Sequence, residues 1–349
     1  MIKEATDKFI EGKNISFAQM KEAFEEIFNS VVTSAAIASF LTALKIKGES
    51  KEEILAAAIV VREKAKKINV RTDFLGLADN SEPVMDTCGT GGSGLNKFNV
   101  STATAFVVSA AGVKLAKHGN RAMSSNCGSA DVLEELGINI EVSAQVTEKA
   151  IKETGLGFLY APLYHPALGR VAKVRREIGI RTIFNILGPL CNPALANYQL
   201  LGVYDSNLIV PMAQVLKKLG IKRAFVVYGK EVGDEVSLTG PTKVAFLDNK
   251  KISTLTLNPS NFGLKKIRLE DLLVKNKQSS ASLIKDILAG KVCAARNIVL
   301  ANASTCFYIL GKVDNFKQGV KMAAELIDTG KAKNKLLEFR NFLNMNMQK

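Results

Sequence analysis

Residues 83–102 read PVMDTCGTGGSGLNKFNVST, and the order of residue types in this stretch decides the fold. A short β-prone run, PVMDTC, comes first. Four glycines then fall within six residues, at Gly89, Gly91, Gly92 and Gly94. Asn99, Ser101 and Thr102 stand where the next helix should begin. Glycines without a Cβ let backbone N–H groups approach a ligand closely. A helix N-terminus behind them adds its positive end and its free amides. Strand, glycine-rich turn and helix therefore form a ready anion site at the edge of a parallel sheet. The spacing fits neither a Walker A loop, since no Gly-Lys-Ser/Thr follows, nor GxGxxG. By itself such a turn serves structure as readily as binding.

Working outward, the same texture continues. STATAFVVSAAG, VKLAKHG and SADVLEELG follow, and then QLLGVYD, LIVPMAQVLKKLG and RAFVVYG. Alternating strand and helix patterns imply a mostly parallel sheet covered by helices. Residues 236–257 read as strands with turns, and helices are expected near 282–290, 295–311 and 315–329, before a basic helical tail. A helical stretch near 166–178 opens on His165-Pro166, a proline suited to a first helical turn. Upstream, residues 1 to about 70 read as all helix. Ser16-x-x-Gln19 and Ser50-x-x-Glu53 have capping-box form, Gly48 closes the helix between them, and Ile54, Leu55, Ala58, Val61 and Ala65 make one apolar stripe. The expected fold class is α/β: a small all-helical domain (1–72, with a helical insertion near 165–183 packing on it) and a larger α/β domain (73–349) with a mostly parallel central sheet.

Composition agrees with an ordered globular chain. Of 349 residues, 47% are hydrophobic and 23% charged, the balance of a chain that buries ordinary cores. No apolar run approaches the ~18 residues of a membrane span, and the N-terminus lacks the apolar segment of a secretory signal, so a cytoplasmic location and no membrane partner are expected. The five cysteines are widely spaced with no CxxC pair, which reads as reduced thiols used as small apolar residues. The net charge of +14 favours anionic partners. It is spread along the chain, with no basic arm or aromatic-interleaved patch of the kind that marks nucleic-acid binding.

Three further clusters carry chemistry. Lys117-His118-Gly119-Asn120-Arg121, followed by a serine-rich turn through Ser125 and Ser129, leaves a strand end, where open α/β sheets bind ligands. Lys117 offers a point charge for phosphate and Ser125 a hydroxyl donor; the alternative is a solvated loop with capping serines. Gly233-Asp234-Glu235 follows RAFVVYG, and paired carboxylates suit a hard cation shared with substrate phosphates, although most Asp-Glu pairs are solvated surface. Arg170, Lys173, Arg175 and Arg176 lie on one helix, and a guanidinium facing the cleft would clasp a carboxylate with two parallel hydrogen bonds. With only two histidines, far apart in sequence, neither a zinc site nor a Ser-His-Asp triad is favoured.

Taken together, GTGGSG…FNVST, KHGNRAMSS, GSADVLEELG, FLYAPLYHPAL…VRREIGIRTIFNILGPLCNP and GDEVSLTGP resemble, in order and approximate spacing, the motifs of the anthranilate phosphoribosyltransferases. The likeness runs from the N-terminal helices to IDTGKA near 327–332. The resemblance implies the class III phosphoribosyltransferase fold shared with nucleoside phosphorylases, with a helical domain, an α/β domain, a cleft at their hinge, and a homodimer formed through helical-domain surfaces. It implies transfer of the phosphoribosyl group from phosphoribosyl pyrophosphate to the amine of anthranilate, in tryptophan biosynthesis, with Mg²⁺ as cofactor. Carried over by position, Gly89, Gly92, Ser93, Lys97, Asn99, Ser101, Thr102, Lys117, Ser125 and Ser129 would hold the donor. Ser101, Asp234 and Glu235 would hold the metal. Gly89, His118, Asn120, Pro162, His165, Arg175 and Gly188 would shape the anthranilate path, Arg175 pairing the carboxylate. No side chain is assigned as catalytic in its own right: positioning and electrostatics carry the rate.

One departure bears on the metal. The family usually ends GTGG with Asp, and here Ser93 stands in its place, removing a negative charge near the metal-bound donor; activity with an altered Mg²⁺ response is the expectation. Lys97, in a loop where a small residue is common, adds positive charge there. Two rival readings remain at this stage: a pyrimidine nucleoside phosphorylase-like enzyme, which shares the fold but not the KHGN and VRREIG strings, and a non-enzymatic nucleic-acid-binding relative, suggested only by the charge.

Overall fold

The computed structural model describes residues 1–29, 32–71, 82–122 and 127–346. Both capping boxes start helices. Ser16 opens α2 (Phe17–Phe28) and Ser50 opens α4 (Lys51–Lys64), each with reciprocal bonds to Gln19 and Glu53. They are joined by α1 (Ile2–Ile10) and α3 (Ser34–Lys47). The run between Ser16 and Gly48 is thus two helices rather than one. The second starts at Thr33, whose side chain accepts from the Ala36 amide at 3.3 Å; with Ala36 in place of Glu or Gln, no reciprocal cap marked that start in the sequence. On α4 the stripe is also wider than expected. Ala56, Ala57 and Val60 are buried with Ile54, Ala58 and Val61, because α4 packs on both α2 and a helix of the α/β part.

In the α/β part the elements follow as β1 (Val84–Asp86), α5 (Val100–Ala110), β2 (Lys114–Gly119), α6 (Ser129–Glu135), α7 (Ala144–Thr154), β3 (Leu156–Tyr160), α8 (Ala161–Tyr164), α9 (Gly169–Ile178), α10 (Phe184–Leu187), β4 (Tyr198–Gly202), α11 (Ile209–Lys218), β5 (Arg223–Gly229), β6 (Thr242–Asp248), β7 (Lys251–Leu257), α12 (Lys277–Leu288), α13 (Ala294–Ile309), α14 (Phe316–Asp328) and α15 (Lys331–Met345). The seven strands run in the order β3-β2-β1-β4-β5-β6-β7. The first five are parallel, and β6 and β7 form an antiparallel hairpin on the edge. Its two-residue turn, Asn249-Lys250, has φ of 44° and 73°, the both-positive geometry that matches strand twist. Strand β3, wholly buried, carried no alternation to reveal it, and α12 opens at Lys277 behind its Asn276 cap, five residues before the expected start.

Both faces of the sheet are covered, as a parallel sheet requires. In β5, Phe225 and Val227 enter one core with α5, α13, α14 and α15. Ala224 and Val226 enter the other, which runs without interruption through α11 into the helical bundle. The expected domain boundary at 72/73 lies outside the described residues. With β1 central and its neighbours parallel, the carboxyl ends of β1, β2, β4 and β5 open on one side, where a ligand site belongs.

Candidate active site

Asp86, the last residue of β1, organises this end of the sheet. It is fully buried. Its Oδ1 accepts from the amides of Cys88 (2.9 Å) and His118 (3.2 Å), and its Oδ2 from Asn192 Nδ2 (2.7 Å). Burial raises its pKa to about 6 against the pull of these donors and of Lys117. One carboxylate thus ties the glycine turn to β2 and to the 191–194 segment. The signal was an acid ending an apolar strand, yet nothing local says what it would bind.

Gly202, at the end of β4, fixes where two loops meet. A Cβ at Gly89 would stand 2.9 Å from the Gly202 carbonyl oxygen, and Thr90 donates its amide to the same oxygen at 2.8 Å. On its other side Gly202 packs directly against the Asp234 backbone. Lack of a Cβ at Gly202 therefore brings the glycine loop and the acidic pair together. Arg181 braces the same loop: it donates to the Gly92 carbonyl and stacks on Tyr204, 4.6 Å from the ring centroid.

These loops surround a cavity of about 280 Å³ that contains most of the residues singled out in the sequence. One end is lined by Gly89, Gly91, Gly92, Ser93, Asn99 and Ser101, with Asp234 and Glu235. Asn99 caps α5, its side chain accepting from the Thr102 amide at 3.0 Å, and Ser101 Oγ is bound by Lys117 Nζ at 3.0 Å. Lys97 reaches across to the acids, with Nζ 2.7 Å from Asp234 Oδ1 and 3.8 Å from Glu235 Oε1. Its ammonium is engaged there instead of standing free for a phosphate. Glu235 is pushed up to about 7 by burial, in spite of Lys97.

The other end is lined by His118, Asn120, His165, Arg175 and Gly188. The two histidines, 47 positions apart (165 − 118), have ring centroids 5.0 Å apart. Burial holds His118 down at about 3 and His165 at about 4, so both are neutral imidazoles at pH 7. His118 Nδ1 lies 2.9 Å from the Gly188 carbonyl oxygen, which assigns the proton to Nδ1 and leaves Nε2 as a buried acceptor with no partner among the described residues. On α9, Arg170, Lys173 and Arg176 are exposed and Arg175 alone turns inward. It lies 5.5 Å from the Phe184 ring centroid, with no carboxylate partner among the described residues, and burial lowers its pKa.

Some expected residues stand elsewhere. Thr102 is turned into the core beneath the α5 cap and does not line the cavity. Pro162 is exposed on α8, and its neighbour Ala161 takes the lining position. Arg121 borders the cavity, but its guanidinium is clasped by Glu134 and the Tyr160 hydroxyl. Ser129 lines the cavity; Ser125 lies outside the described residues. All five cysteines are free thiols, three of them buried.

For a cation the donor set is chemically apt but small. Asp234, Glu235 and Ser101 supply hard oxygen ligands in one wall, as Mg²⁺ prefers. Among the described residues no group of three or more His, Cys, Asp or Glu side chains is placed to hold a metal ion. A divalent ion here would have to share its remaining positions with substrate and water.

A mostly parallel sheet, a helical bundle and an amide-lined cavity with two acids at its edge suit a phosphorylated substrate, and by sequence the chain falls among the glycosyl transferases. Residues 3–65 match the helical bundle domain of a glycosyl transferase family and residues 81–333 its a/b domain. The anthranilate phosphoribosyltransferase of Geobacter sp. (strain M21) is 48% identical over 343 residues, covering 96% of this chain and 97% of that one. The crystal structure of the anthranilate phosphoribosyltransferase from Thermus thermophilus superposes with a TM-score of 0.88 at 38% identity, over 97% of this chain and 99% of that one. The Saccharomyces cerevisiae enzyme in complex with PRPP and Mg gives 0.88 at 30% identity, over 99% and 98%. The chain belongs to the anthranilate phosphoribosyltransferase family. Neither the nucleoside phosphorylase nor the nucleic-acid-binding reading is favoured. No helix among the described residues is long and apolar enough to cross a membrane.

Proposed function

We propose that this protein transfers the phosphoribosyl group of phosphoribosyl pyrophosphate to the amine of anthranilate, giving N-(5-phosphoribosyl)anthranilate and pyrophosphate in tryptophan biosynthesis. The observation that carries the reading is one cavity lined by the Gly89–Gly94 loop, the Asp234–Glu235 pair and Arg175. Arg175 receives the anthranilate carboxylate, since a half-buried guanidinium with no acidic partner among the described residues gains most from a bidentate anion. The amides of the glycine loop, the α5 N-terminus and Lys117 receive the donor's phosphates. The bond from the ribosyl carbon to pyrophosphate breaks as positive charge develops at that carbon, and the aryl amine, neutral at pH 7, attacks it and sheds one N–H proton to the departing pyrophosphate. His118 Nε2 orients the amine by accepting one of its N–H groups, a role open to it because burial keeps the ring neutral. Mg²⁺, when bound at Asp234, Glu235 and Ser101, would neutralise the departing diphosphate. The enzyme works in the cytoplasm as a homodimer, as the family resemblance implies. Loss of anthranilate fluorescence on mixing protein, donor and Mg²⁺ is the test; no loss with folded protein would overturn the assignment.

A further inference from the structure

The Lys97 ammonium occupies the two acids on which cation binding depends. Its backbone is pinned: Phe98 donates to the Leu272 carbonyl at 2.9 Å, Val274 donates to the Asn96 carbonyl at 2.7 Å, and Lys97 pairs with Leu273 as an antiparallel bridge. Neighbours in extended backbone point to opposite sides. Phe98 is fully buried, and Lys97 crosses the other way to the loop after β5. There Nζ donates to the Val232 carbonyl at 2.9 Å and to Asp234 Oδ1 at 2.7 Å, with Glu235 Oε1 at 3.8 Å. Lys97 is 9% exposed and the two acids 11% and 10%. This is a sheltered three-way contact, unlike the loose pairs of the surface.

We propose that Lys97 is a tethered counter-cation for the Asp234–Glu235 pair, and that a divalent ion binds these acids only by displacing it. The inference rests on the reading of this cavity as a donor- and metal-binding site. Mg²⁺ bonds carboxylate oxygen at about 2.1 Å, and Oδ1 of Asp234 is already held by the ammonium. A divalent ion and an ammonium on one sheltered carboxylate repel each other. That repulsion drives the ammonium off, and the open cavity beside it is where the donor's diphosphate is expected. Lys97 thereby couples the two events: the ligand-free protein keeps its acids neutralised internally, and the arriving diphosphate offers the lysine a new anionic partner as the metal takes over the carboxylates.

The experiment is a titration of the whole, ligand-free protein with Mn²⁺ alone, reading free Mn²⁺ by electron paramagnetic resonance. Wild type is expected to bind in the millimolar range. Lys97→Met, which keeps the length and removes the charge, is expected to bind about tenfold more tightly or better, and Lys97→Arg to stay near wild type. Micromolar binding by wild type, or equal affinities for wild type and a folded Lys97→Met protein, would overturn the proposal. The wild-type arm stands even if the methionine variant does not fold. Because neither donor nor acceptor is present, the result is readable whether or not the protein transfers phosphoribosyl groups.

Discussion

Gly202→Ala tests most directly how the site is assembled. A Cβ built on Gly202 would stand 2.8 Å from Asp234 Cα, and nearer still to the Asp234 carbonyl. Both obstacles are backbone, so no side chain can swing aside. Carbon atoms settle at about 3.5 Å or more, so the Asp234 loop must withdraw by at least about 0.7 Å, and by roughly 1.5 Å to clear the carbonyl. A misplacement of that order in a positioned group costs on the order of 10²-fold in rate, equivalent to about 2.7 kcal/mol of transition-state stabilisation. Overpacking should also lower stability by about 1–3 kcal/mol. The assay is kcat/KM for the ribosyl donor at saturating anthranilate, beside a chemical-denaturation curve. Gly169→Ala is the control: a Cβ there meets nothing within 4 Å, and its backbone is that of an ordinary first helical turn, so activity and stability should hold. If Gly202→Ala keeps kcat/KM within about threefold of wild type while folded, the argument that this glycine holds the acidic pair against the glycine loop is wrong.

Four further expectations follow from the same geometry. Arg175→Ala should raise the anthranilate KM by on the order of 10²-fold, the value of a charge-assisted bidentate contact, with the donor KM nearly unchanged; equal effects on both would refute its role. Glu53 is wholly buried and accepts from the Ile15 amide (3.1 Å), the Ser50 amide (2.8 Å) and Lys47 Nζ (2.7 Å). Glu53→Ala should therefore cost about 3–5 kcal/mol in urea unfolding by stranding a buried lysine, and a loss below about 1 kcal/mol would contradict that. The folded-state pKa of His118 is depressed to about 3 from 6.5, so the unfolded chain takes up its proton first as pH falls through 6.5. The stability contributed by keeping the ring neutral is present above that pH and lost below it. Relative to His118→Asn, wild type should lose about 2 kcal/mol between pH 7 and pH 5, and parallel stability profiles would refute the assignment. Ser93 packs against Gly233 beside the acids, so Ser93→Asp should change the Mg²⁺ concentration for half-maximal rate; an unchanged Mg²⁺ titration curve would count against it.

What the chain declared by itself was local. The glycine loop, the Asn99 cap and the Ser16 and Ser50 capping boxes are legible because their interactions span only a few residues, and positive φ or an unsatisfied amide demands particular residue types. The strands β1, β2, β4 and β5 were legible for the same reason, as apolar runs closed by turn residues. The family motifs added which of these residues meet a ligand. Only the tertiary structure decided the rest, because it depends on contacts between distant segments. Asp86 joins three segments, Gly202 seats two loops, one of the four cationic side chains on α9 turns inward, and Lys97 reaches an acid 137 positions away (234 − 97). A close approach of this kind leaves no periodicity in the chain: it is set by how far the sheet's parallel strands bring their carboxyl ends together, and by which side chains are absent where they meet.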